Sequence, residues 1–120
     1  LEMRETGISV VIAHYNQHDR LSNCLESIFQ ISYTRFEVVV VDDCSHGDVR
    51  LVTDKFPVKL IQLEKNRGNG FARNVGAKNA QFEVIFFIDS DTVMPPNAFQ
   101  RIHQPEGLQT IVSLSRLLQA

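Results

Sequence analysis

Asp89 and Asp91 stand two residues apart after the apolar run Val84–Ile88, and residues so spaced on extended backbone project to the same side. Two carboxylates there make a negative site that suits a hard cation such as Mg2+ or Mn2+, whose remaining positions phosphate oxygens and water would fill. Such a cation offsets charge on a diphosphate leaving group. Asp-Ser-Asp serves equally as a solvated turn that caps a following helix, and both readings stay open at this point. Asp42-Asp43 closes a second apolar run, Phe36–Val41. A carboxylate there can accept a hydrogen bond from a base N–H or a ribose hydroxyl. Asp43 is the expected ligand contact and Asp42 its neighbour, with helix capping or bonding to turn amides as the competing use. Arg73, with small neighbours Ala72 and Gly76, can swing its guanidinium toward phosphate or base oxygens or simply form a surface salt bridge.

Gly68-Asn69-Gly70 could bring backbone N–H groups to a phosphate at a helix N-terminus, but it lacks the spacing of a P-loop, and turn glycines explain it as well. His14 and His18 are four apart, a zinc spacing when both lie on one helix. Here His14 belongs to a strand end and no Glu accompanies the pair, so zinc is not expected. His46 and His103 read as surface residues. Tyr15 offers a ring that either packs flat on a base or closes the edge of the core. Neither Ser9 nor Ser90 sits in a nucleophile elbow, so no Ser-His-Asp arrangement is argued.

These residues need a scaffold that gathers them. Ile8–Ala13 is a β-branched strand, followed by Leu21, Cys24, Leu25, Ile28 and Phe29 at the spacing of a helix face. Phe36–Val41 is nearly all apolar, as in a parallel strand covered on both faces. Val49–Phe56 predicts a short helix stopped by Pro57, and Val58–Leu63 a third strand. A helix from Phe71 would lie close on the sheet through its small residues, and Phe82–Ile88 makes a fourth strand. Pro95-Pro96 predicts the opening of another helix with Ala98, Phe99 and Ile102 inside. Ile111–Leu118 fits a strand or a helix. The alternation predicts one α/β domain over residues 1–120, with three α/β/α layers and a mostly parallel sheet joined by right-handed crossovers. In such sheets ligands bind beyond the carboxyl ends of the strands. The clusters Ala13–Asn16, Asp42-Asp43, Asn66–Gly68 and Asp89–Asp91 all fall on that one edge.

The chain has 120 residues, is 43% apolar and carries a net charge of −2. That size supports a single core, and the scattered Lys and Arg leave no footprint for nucleic acid. Its apolar runs are too short to cross a bilayer, and no signal region opens it. Leu1-Glu2 without an initiator Met suggests a start inside a longer protein, so a membrane anchor could lie elsewhere. Cys24 and Cys44 lack zinc spacing and are read as reduced core or near-core thiols of a cytosolic protein.

Four motifs in order resemble family 2 glycosyltransferases of the GT-A fold: Val10–Asn16, Val40–Ser45, Asn66–Gly76 and Phe87–Asp91. The resemblance covers roughly Ile8 to Ile102 and implies the Rossmann-like nucleotide-sugar-binding half of such an enzyme. It implies that Ala13, Tyr15 and Asp43 line a nucleoside pocket, most often for uridine, and that Arg73 reaches the base or diphosphate. It further implies that Asp89 contacts ribose or metal, and that Asp91 coordinates a Mn2+ or Mg2+ ion bridging the diphosphate. The expected activity is inverting transfer of a sugar from a UDP-sugar to a saccharide or lipid-linked acceptor hydroxyl. Ala13 replaces the family's usual Pro and Cys44 its usual Gly. The family's catalytic domain is about twice as long, and its general base is expected outside this chain. An apolar edge normally covered by that other half would favour a homodimer. A nucleotide-binding or assembly fragment without turnover is the alternative. A receiver-like signalling domain is disfavoured, because its acidic pair usually follows the first strand, whereas here the pair follows the second.

Overall fold

The computed structural model describes residues 5–102 and 110–113. Five strands form one sheet in the order β3-β2-β1-β4-β5, comprising β1 (Ile8–His14), β2 (Phe36–Asp42), β3 (Lys59–Gln62), β4 (Val84–Asp89) and β5 (Thr110–Ser113). Every pairing is parallel, and β1 is buried along its whole length. That burial explains its largely apolar sequence: a central parallel strand has no solvent face on which polar residues could alternate, and its two polar members, Ser9 and His14, are buried with hydrogen-bond partners in Glu37 and His18.

Alternate residues of β1 enter two cores. Ile8, Val10 and Ile12 pack with Leu21, Cys24, Leu25 and Ile28 of α1 (His18–Phe29), whereas Val11 and Ala13 pack with Ala72 of α3 (Asn69–Lys78). The result is the expected three-layer arrangement. The small residues of α3 permit its close approach, since a Cβ on Gly76 would fall 2.3 Å from Val11 Cγ1.

The register sets the functional edge. His14 pairs with Asp42, and Ala13 with Asp89, so β1, β2 and β4 end level. The chain fills the sheet outward from β1 through β2 to β3, then returns to the other side of β1 with β4. The crevice between the β1 and β4 ends is therefore the topological switch point, where open α/β sheets bind ligands.

Three expectations change. The helix expected after Pro95-Pro96 is a turn followed by one 3-10 turn, Phe99–Arg101. Its inner residues Ala98, Phe99 and Ile102 are nonetheless buried, because Phe99 is held by rings rather than by helix bonds, packing on Tyr33, Phe36 and Phe86. The helix over Val49–Phe56 contracts to α2 (Arg50–Thr53). Cys44 is exposed, not near-core, because it occupies a left-handed turn (φ 63°) beyond the end of β2. Cys24 is buried, and burial together with nearby Asp91 pushes its thiol up to about 12. The ambiguous segment begins as strand β5, while residues 114–120 and His103 lie outside the described residues.

Candidate functional site

At the switch point a cleft of about 240 Å³ is lined by Ala13, Tyr15 and Gln17 from the β1 end, Asn69 from α3, and Asp89, Ser90 and Asp91 from the β4 end. Tyr15 is 42% exposed, so it stands at the cleft and does not close the core. The Asp89 and Asp91 side chains are 60% and 50% exposed, while Ser90 between them is buried. Two carboxylates on one side of the chain are what the i, i+2 spacing predicts.

Each of these carboxylates has an arginine beside it. Arg73 Nη2 donates to Asp89 Oδ1 at 3.1 Å, and Arg20 Nη1 of α1 lies 3.8 Å from Asp91 Oδ2. Arg73 thus forms the salt bridge of its competing reading, with a carboxylate that lines the cleft. Exposed pairs of this kind are weak and exchange readily for stronger partners. Hard carboxylate oxygens suit Mg2+ or Mn2+. No group of three His, Cys, Asp or Glu side chains is gathered for a metal among the described residues. The pair therefore fits a cation shared with a bound diphosphate better than a closed structural site.

Asp42 and Asp43 have a different setting, both nearly inaccessible to solvent. Asp42 accepts a hydrogen bond from Ser45 Oγ. The Asp43 carboxylate accepts from Arg67 N at 2.7 Å, Gly68 N at 2.9 Å and Asn66 Nδ2 at 3.1 Å. Asp43 thus shapes the loop that leads into α3, bonding to turn amides as the competing reading had it. It lies behind that loop and outside the lining of the cleft.

His14 and His18 are joined to each other, His14 Nε2 to His18 Nδ1 at 2.8 Å, and His18 Nε2 meets His46 O at 2.9 Å. A carbonyl only accepts, so His18 Nε2 carries hydrogen, its Nδ1 is an acceptor, and His14 Nε2–H donates to it. Burial brings His14 down to about 4, opposed by Asp42 and assisted by His18, so this ring is neutral near pH 7.

The sequence reading did not single out Gln17, whose side chain carries no distinctive chemistry in sequence, nor Arg20, four residues past the β1 motif, and it named Asn69 only for its backbone within Gly68-Asn69-Gly70. The spacing of Arg20 within the first turn of α1 could have hinted that it overhangs the strand ends.

Residues 9–105 match the family model described as Glycosyl transferase family 2. An uncharacterised glycosyltransferase of Haemophilus influenzae is 34% identical over 100 residues, covering 81% of this chain and 33% of that protein. The crystal structure of Staphylococcus aureus TarS 1-349 in complex with UDP-GlcNAc is 33% identical with a TM-score of 0.75, over 79% of this chain and 29% of that one. The mannosyltransferase PcManGT of Pyrobaculum calidifontis, in complex with GDP-Man and Mn2+, is 25% identical with a TM-score of 0.71, over 80% and 31%. The chain spans about a third or less of the length of the curated relatives it matches. With the parallel sheet, the cleft at its switch point and a family match along most of its length, the chain belongs to glycosyl transferase family 2.

Proposed function

We propose that this chain is the donor-binding domain of a metal-dependent, inverting glycosyltransferase that moves a sugar from a UDP-sugar to an acceptor hydroxyl on a saccharide or lipid-linked saccharide. One observation carries the reading: Ala13 and Tyr15 line a single cleft at the switch point together with Asp89 and Asp91. A nucleoside would lie against Ala13 and Tyr15, and Asp43 would orient it through the Asn66–Gly68 loop or through a remaining lone pair. Arg73 would turn from Asp89 toward the base or diphosphate. Asp91, with Asp89 beside the ribose, would hold Mn2+ or Mg2+. When bound, the cation supplies positive charge to the departing diphosphate. Uridine is preferred over guanosine as the base because the UDP-GlcNAc complex is the more similar in sequence of the two neighbours, at 33% against 25%.

Inversion needs a base that removes the acceptor proton as the diphosphate leaves, and that role is assigned to no residue of this chain. A binding or assembly role without turnover is the second reading. Two free thiols support a cytosolic setting. No helix among the described residues is long and apolar enough to cross a membrane. A homodimer would appear in sedimentation at high concentration.

Calorimetric titration of UDP with and without Mn2+ tests the donor site. Binding should require the metal and be lost in Asp91→Ala; a folded wild-type chain that binds no UDP would sink the reading.

A further inference from the structure

The loops that follow β1 and β2 are joined more tightly than a cleft wall requires. Asn16 N donates to Ser45 Oγ at 2.7 Å, and His46 N donates to Asn16 Oδ1 at 2.9 Å. Ser45 Oγ passes its own hydrogen to buried Asp42. His14 and His18 extend the connection to His46 O, and Asp43 N returns to His14 O at 2.8 Å.

Both non-glycine residues with positive φ among the described residues lie in these two loops, Asn16 at 64° and Cys44 at 63°. L-residues visit this region at a cost, and such conformations persist where the surroundings over-determine them and cluster at ligand clamps. Tyr15 and Gln17, the immediate neighbours of Asn16, both line the cleft. The strained residue is therefore the one that fixes where its two neighbours stand.

We propose that Asn16 and Ser45 are positioning residues for the donor nucleoside, pinning the β1 loop to the β2 loop so that the Tyr15 ring is set in place before the base arrives. The inference rests on the donor-site reading above. A loop ordered in advance does not lose that freedom on binding, so the clamp raises affinity without touching the ligand.

The test uses Tyr15 as its own reporter. The chain has two tyrosines and no tryptophan, and Tyr33 is buried under Phe99 with its hydroxyl donating to Thr6 O. In a Tyr33→Phe background Tyr15 is the sole emitter. Its fluorescence is followed on titration with uridine alone and with UDP plus Mn2+, and its accessibility to acrylamide is measured without ligand. Ser45→Ala leaves Asn16 N–H and Asp42 without their shared hydroxyl. It should weaken uridine and UDP binding by the same factor, about tenfold, and raise acrylamide quenching. Ser45→Thr should restore binding to within about twofold, since it returns the hydroxyl. Asn16→Gly tolerates the left-handed backbone and deletes only the acceptor for His46 N. Its loss should be smaller, about threefold. Uridine affinity unchanged in both Ser45→Ala and Asn16→Gly overturns the proposal, as does a loss confined to UDP. If the Tyr33→Phe parent binds no UDP, the donor reading itself fails and takes the clamp's role with it, a failure visible before any clamp variant is measured.

Discussion

Two acidic pairs end two strands of the same sheet, and their settings are opposite. Asp42 and Asp43 are buried and spend their oxygens on Ser45, Asn66, Arg67 and Gly68. Asp89 and Asp91 stay about half exposed, each beside one arginine. The first pair is bound up with the backbone of the loops that follow β2 and lead into α3. The second lines the cleft and stays open to solvent. Carboxylates of the same type at equivalent strand ends are thus committed to architecture in one place and left accessible in the other.

The largest expected effect is on the buried pair. Asp43→Ala leaves the Arg67 and Gly68 amides without their acceptor, while Asn66 Nδ2 keeps the Asp43 carbonyl, and at about 1–3 kcal/mol for each unsatisfied amide the chain should lose about 4 kcal/mol of stability. Urea denaturation measures it; a loss below about 1 kcal/mol would mean that the loop re-pairs with water and that the contrast between the pairs is shallow.

Acid should reach the same region next. Burial brings His14 in the folded chain down to about 4 from its ordinary value of 6.5. Between those values the unfolded chain takes up a proton that the folded chain refuses. The His14 contribution is therefore complete above about pH 6.5 and falls away as pH drops toward 4, by about 3 kcal/mol. Stability measured across that window should decline in the parent and flatten in His14→Asn. An NMR titration in which His14 protonates near 6.5 would contradict the burial argument.

Gly76→Ala separates the two sides in another way. Its Cβ would collide with Val11 and crowd Val41, both stiff β-branched core residues, so α3 must lift at a cost of about 2 kcal/mol. Because α3 carries Asn69 and Arg73 but neither loop of the Asn16–Ser45 clamp, UDP affinity should fall more than uridine affinity. Equal losses would show that the sides are coupled through the sheet.

Asp91→Ala should do least to stability, within about 0.5 kcal/mol, since it removes an exposed ion pair. Thermal unfolding alongside the Mn2+-dependent UDP titration tests the pairing of effects: a Tm near the parent's with metal-linked binding lost. A large fall in Tm would make Asp91 architectural like Asp43.

Much of this was legible in residue order. The largely apolar runs at β1, β2 and β4 marked strands covered on both faces, because a parallel strand between two helical layers has little room for polar residues. Leu21, Cys24, Leu25 and Ile28 marked the buried stripe of α1. The polar clusters after those runs announced the functional edge, since strand ends in a parallel sheet must share one side. Tertiary structure alone decided which carboxylates stay open, that Tyr15 faces solvent, that Cys44 is exposed, and that Phe99 is buried without a helix around it. The reason is range. Secondary structure and its buried faces follow from neighbours within about eight positions, whereas the partners of Asp43 lie 23 to 25 residues away and those of Asn16 lie 29 and 30 away. Hydrogen bonds over that separation exist only once the strands have aligned, and they divide two chemically equal pairs of aspartates into scaffold and site.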